Sequence, residues 1–160
     1  MKKTSNRVLK TVCVLALIGI VLWVAFYAVQ SYFVLTTGSG KGVINWGSPN
    51  IGLKLTMFVM NRLTILTLAG LMAAFVFNIL KYLKGGTIFN RANVVLLWIM
   101  AIVLPIHSFI RDNMGYACSA TDHYEWGLTD TPFVYAIVAV LVAILYKLAY
   151  DAAEEQKLTI

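Results

Sequence analysis

The chain has 160 residues, of which 60% are hydrophobic and only 12% charged, and its mean hydropathy is +0.79. A soluble domain carries about a quarter of its residues as charges, so a soluble globular protein is excluded and a membrane protein is expected. Four spans of about 20 residues each would use half the chain, and the remaining loops and tails are too short for a separate soluble domain of ordinary size.

Thirteen Lys and Arg against seven Asp and Glu give a net charge of +6 and a pI near 9.4. The basic residues flank apolar runs, which is what orientation in a bilayer requires. No basic patch with interleaved aromatics is present, so direct nucleic-acid binding is not expected. Two cysteines, Cys13 and Cys118, occur in no C-x-x-C pair. That excludes the four-span disulfide shuttles, which need adjacent thiols.

In chain order, the first apolar core, Val12 to Val29, follows Lys2, Lys3, Arg7 and Lys10. It exceeds the usual signal-peptide core and no A-x-A site follows, so it reads as a retained span over about 11–31. The second span is placed at about 58–81 and the third at 93–110. The fourth, at 131–150, has Asp130 or Thr131 as a cap and Pro132 at the favoured first position. These define outer loops 32–57 and 111–130, an inner loop 82–92 and a tail 151–160. With both termini cytoplasmic, nine Lys and Arg fall inside and four (Lys41, Lys54, Arg62, Arg111) outside, which favours that topology. The fold class is therefore all-α, an antiparallel four-transmembrane-helix bundle with N-in and C-in. Small residues at Gly70 and Ala74, Ala69 and Ala73, Ala139 and Ala143, and Ala16 and Gly19 offer close helix contacts, including those of a homo-oligomer.

The first outer loop is rich in glycine. Its Gly38-Ser39-Gly40-Lys41-Gly42 run lacks the leading Gly and the Ser or Thr after Lys of a phosphate loop, because Leu35 and Gly42 stand there. Tyr32, Phe33 and Trp46 suit the interfacial aromatic belt. In the second outer loop Cys118, Asp122, His123 and Glu125 have ligand chemistry but no metal-site spacing, so neither metal nor cofactor is expected. His107, two residues after Pro105, is the candidate intramembrane polar site. A carbonyl freed by the proline is its expected partner. Bis-histidine haem is not expected, because His123 lies in a loop.

In the inner loop Gly85 and Gly86 end the second helix, Ile88 and Phe89 dip to the interface, and Asn90 is suited to cap the third helix. The tail continues the last helix through Glu154 and Glu155 to Leu158, Thr159 and Ile160. The run Gly86-x-Ile88-Phe89-Asn90-x-x-Asn93, with the acidic closing helix and the Leu158-Thr159-Ile160 ending, resembles the YoaS-like family of small bacterial four-span membrane proteins, a domain of unknown function. Ala92 and Gln156-Lys157 depart from its more acidic pattern. The resemblance implies a bacterial cytoplasmic (inner) membrane and a cytoplasmic partner, such as a small helix-turn-helix regulator. Candidate partner-binding residues are Gly86, Ile88, Phe89, Asn90, Asn93, Leu158, Thr159 and Ile160. The leading functional expectation is a non-catalytic interaction or regulatory protein. A transporter or channel subunit follows, motivated by His107, Arg62 and Asn78 near or within the spans. An enzyme comes last, because no nucleophile has a neighbouring base.

Overall fold

The structure is a computed structural model that describes residues 2–36, 44, 46–83, 88–119 and 127–158. Helix α1 covers Lys2–Thr36, α2 Ile51–Leu83, α3 Arg91–Asp112, the single turn α4 Met114–Ala117, and α5 Thr131–Leu158. The four long helices are each long and apolar enough to cross a membrane, and they pack antiparallel in an all-α bundle. The start of α1, the end of α5 and residues 88–90 lie at one end, here the terminal end. Residues 44 and 46–50, α4 and residues 127–130 lie at the other, the distal end.

Every expected span lies within its helix, and the helices run further. At a rise of about 1.5 Å per residue α3 is about 33 Å long, close to the roughly 30 Å hydrocarbon layer, whereas α1 and α2 approach 50 Å. The first distal connection is accordingly shorter than the sequence suggested: α1 continues to Thr36 and α2 begins at Ile51. Asn50 takes the left-handed conformation there (φ 60°), and its carbonyl accepts the Lys54 N–H at 3.2 Å. Asn tolerates this conformation because its short polar side chain bonds locally. At α5 the Asp130 carbonyl accepts from Val134 N–H at 3.0 Å, so Asp130 is the cap and Pro132 the second helical residue.

The long helices pack in series, α1 on α2, α2 on α3 and α3 on α5; among the described helices α1 has close backbone contact with α2 alone. Polarity is inverted relative to a soluble domain. Lys54, Asn61, Asn93, His107, Ser108 and Asn113 are buried, while the helix exteriors carry exposed residues such as Leu22, Phe26, Leu66, Ile102 and Leu145. Lipid solvates aliphatic side chains as well as a helix neighbour does, so apolar burial gives little drive and polar groups turn inward. The small-residue pairs divide. Ala69 and Ala143 are buried, but Gly19 and Gly70 face open space.

A polar knot closes the distal end. Lys54, counted from the sequence as an outer-side charge, is 0% exposed. Its Nζ donates to Ser48 Oγ (2.5 Å) and to the Ser119 carbonyl (2.6 Å) and lies 5.1 Å from the Tyr116 ring centroid. One ammonium thus ties the segment before α2 to the residues after α4. Asn113 makes a second clasp: its Nδ2 donates to the Phe109 and Gly127 carbonyls (2.8 and 3.0 Å), and its Oδ1 accepts from Gly127 N–H (2.9 Å).

Lys54→Met keeps the volume but leaves these acceptors without their buried donor, and is expected to cost about 2 kcal/mol or more. Equilibrium unfolding by dodecyl sulfate in mixed micelles measures this, and a midpoint equal to that of the parent would contradict the role given to Lys54.

Candidate functional site

The sequence-derived candidates fall into two constellations. The first is at the terminal end and is built around Asn93, which is 0% exposed. Asn90, just before α3, is extended (φ −145°, ψ 152°), and its Oδ1 accepts the Asn93 N–H at 2.8 Å, the expected N-cap. The Asn93 side chain then points across the bundle. Its Oδ1 accepts from Asn78 Nδ2 (2.9 Å), and its Nδ2 donates to the Phe75 carbonyl and the Tyr146 hydroxyl (3.3 Å each). Tyr146 Oη donates in turn to the Ile88 carbonyl at 3.0 Å. Rings close over this network, with Phe75 and Phe89 edge-on to Tyr146 at centroid distances of 5.6 and 5.3 Å.

One amide thus joins α2, α3, α5 and residues 88–90. Ile88, Phe89, Asn90 and Asn93 are brought together, and residues 88 and 89 meet α5 through Tyr146. Gly86, Thr159 and Ile160 lie outside the described residues, as do Asp122, His123 and Glu125 of the proposed ligand-bearing loop. Leu158 is the last residue of α5. Tyr146 escaped the sequence reading because a single tyrosine in an apolar helix looks like ordinary core or belt.

The second constellation lies in the distal half. His107 is 8% exposed, and its Nδ1 meets the Thr64 hydroxyl at 2.9 Å rather than a carbonyl of the proline turn. The same hydroxyl lies within hydrogen-bond distance of the Asn61 carbonyl, at 2.9 Å. His107 and Arg62 line a common cavity of about 240 Å³ with Tyr27, Gln30, Asn61 and Arg111. The cavity exists because α1 leans on α2 without reaching α3, leaving a wedge floored by α2. Asn78, grouped with His107 and Arg62 from the sequence, belongs instead to the terminal-end network.

Arg62 sits about 16 Å along α2 from Ile51, at about 1.5 Å per residue. Its guanidinium is held between the rings of Phe58 and Tyr27, 4.7 and 5.0 Å from their centroids, and Nη2 donates to Gln30 Oε1 at 3.2 Å. Nε and Nη1 are buried without acceptors, and no carboxylate pairs with Arg62 among the described residues. Two ring contacts at about 0.5–2 kcal/mol each roughly offset the about 2.5–3.5 kcal/mol needed to place an arginine in a span, but they supply no acceptors. Arg111 differs: Asp112 Oδ1 lies 3.3 Å from its Nη2, and Asp112 Oδ2 also accepts from Thr129 at 2.5 Å.

Cys118 lines the same cavity. Burial pushes its thiol above the ordinary range, with a smaller opposing pull from Arg62, so it is a slow nucleophile rather than an activated one. Cys13 is buried and, like Cys118, unbridged. Among the described residues no cluster of His, Cys, Asp and Glu is arranged to hold a metal ion.

Tyr146→Phe, which deletes one hydroxyl, is expected to cost about 1 kcal/mol, near the range of interhelical hydrogen bonds in membranes. Asn93→Leu strips Asn78, Tyr146 and the Phe75 carbonyl together and is expected to cost about 2–3 kcal/mol. Dodecyl sulfate unfolding of both variants tests the ranking, and equal losses would place the weight on Tyr146 instead.

Compared with family models, curated proteins and solved structures, the chain matches none. Fold and composition support an integral membrane protein with four candidate spans.

Proposed function

We propose that the protein is a non-catalytic interaction or regulatory protein of a bacterial cytoplasmic membrane, presenting its terminal end to a soluble cytoplasmic partner. The observation that carries this reading is the Asn93 network. By tying Ile88 to Tyr146, it makes residues 88–90 and the last helix one preorganised surface, and preorganisation lowers the ordering cost of binding. Helix α5 continues to Leu158, so its last turns extend beyond Tyr146 at the same end of the bundle. The excess of Lys and Arg at this end supports an N-in and C-in orientation. The resemblance to the YoaS-like family supports a partner such as a small helix-turn-helix regulator.

Photo-crosslinking residues at Arg91 and Glu155, both exposed, test this in native membranes. One soluble protein captured from both positions is the expected result. Adducts to the chain itself alone, or different proteins from the two positions, would reject the reading.

A subunit of a small transporter or channel is the second reading, favoured by the cavity that joins Arg62 to His107. A single bundle of this size leaves little room for a pore, so this role calls for an oligomer. The outward Gly70 and Ala74 face suits one. Solute flux into proteoliposomes should then fall in His107→Ala, and flux equal to that of the parent would remove this reading.

A further inference from the structure

Beside the terminal-end role, and independent of it, the distal half holds Arg62, with which no carboxylate pairs among the described residues, at the edge of a cavity. Two nitrogens of Arg62, Nε and Nη1, are buried without acceptors among the described residues. The cavity it lines offers further polar groups from Gln30, Asn61, His107 and Arg111, and among the described residues no carboxylate lines it. A volume of about 240 Å³ is several times the roughly 30 Å³ share of one liquid water, so a phosphate or carboxylate group fits. On the other side of the same guanidinium, α1 and α2 enclose a second, narrower space of about 120 Å³. Val24, Ala28, Ile65 and Leu66 make it almost wholly apolar.

A charged compartment and an apolar groove that share Arg62 and Tyr27 match a molecule with an anionic head and a hydrocarbon tail. We infer that this is a binding site for an anionic amphiphile, its phosphate or carboxylate head in the cavity against Arg62 and the start of its chain in the α1–α2 groove. Arg62 suits the task chemically, because its planar fork offers paired donors to an oxyanion. Exposed Leu66 stands where the groove meets the lipid-facing surface, so a tail can enter laterally from the bilayer. The polar wedge between α1 and α3 is then filled by the head of a membrane-borne ligand.

Cys118 reports occupancy because it lines the same cavity. The full chain with Cys13→Ser is reconstituted in phosphatidylcholine nanodiscs, and alkylation of Cys118 by N-ethylmaleimide is timed. Additions are phosphatidylglycerol, oleate or inorganic phosphate. At ten times its Kd a bound amphiphile should slow the reaction about tenfold, since only the free site reacts. Phosphatidylglycerol or oleate is expected to protect, and inorganic phosphate at equal concentration is not. Arg62→Gln should abolish protection while its circular dichroism and elution remain those of the parent. Leu66→Trp, which fills the exposed groove and leaves Arg62 in the chain, should weaken protection and keeps the test open if Arg62→Gln does not fold. Equal alkylation rates under all additions would overturn the site. Protection by inorganic phosphate as strong as that by oleate would overturn the amphiphile in favour of a free anion. Undiminished protection in Leu66→Trp would overturn the assignment of the tail to the groove.

Discussion

Hydrogen bonding and charge pairing inside an apolar solvent are what this fold depends on. In water, burying leucines would hold four helices together, but in a bilayer the same leucines are as well solvated by acyl chains as by a neighbouring helix. Cohesion therefore falls to side chains that lipid cannot satisfy. The buried set follows this logic, with Lys54, Asn61, Asn93, His107 and Asn113 inside and most large aliphatic residues turned outward. Each long helix also meets its internal backbone bonding requirement by itself, so these few polar groups are left to specify how helices face one another.

The two ends use different chemistry for the same task. At the terminal end a neutral network centred on the Asn93 amide joins three helices and residues 88–90. At the distal end a charge is used. Lys54 is fully buried, yet its ammonium meets a hydroxyl, a carbonyl and an aromatic face, which is how such burial becomes tolerable. Asn113 then fastens the residue leading toward α5 to the end of α3.

Helix α1 stands apart from this scheme. Its polar link to α2 runs through Gln30 and the ring of Tyr27, both directed at Arg62. Since α1 has no close backbone contact with α3, a wedge remains between them, and Arg62 lines it with two of its nitrogens buried without acceptors. Structure and candidate function meet at this residue, because the side chain that positions α1 also charges the cavity.

Composition and hydropathy by themselves determined the solvent, the number of long helices, the antiparallel order and the Asn90 cap, because each follows from local sequence. Apolar run length answers to bilayer thickness, short connections force neighbours to run antiparallel, and an asparagine three residues before Asn93 acts within one turn. The interior was not legible in this way. Lys54 read as an exterior charge because a lysine near a helix start normally stays in water, and its burial arises only when Ser48 and Ser119, 6 and 65 residues away, converge on it. Asn78 could not be assigned to Asn93 rather than to His107 from spacing, and Tyr146 gave no local sign of its two partners. The tertiary structure alone decided these pairings, since a polar side chain in a span accepts whatever complementary group the packing of other helices brings within about 3 Å, and that packing is not encoded in its own neighbours.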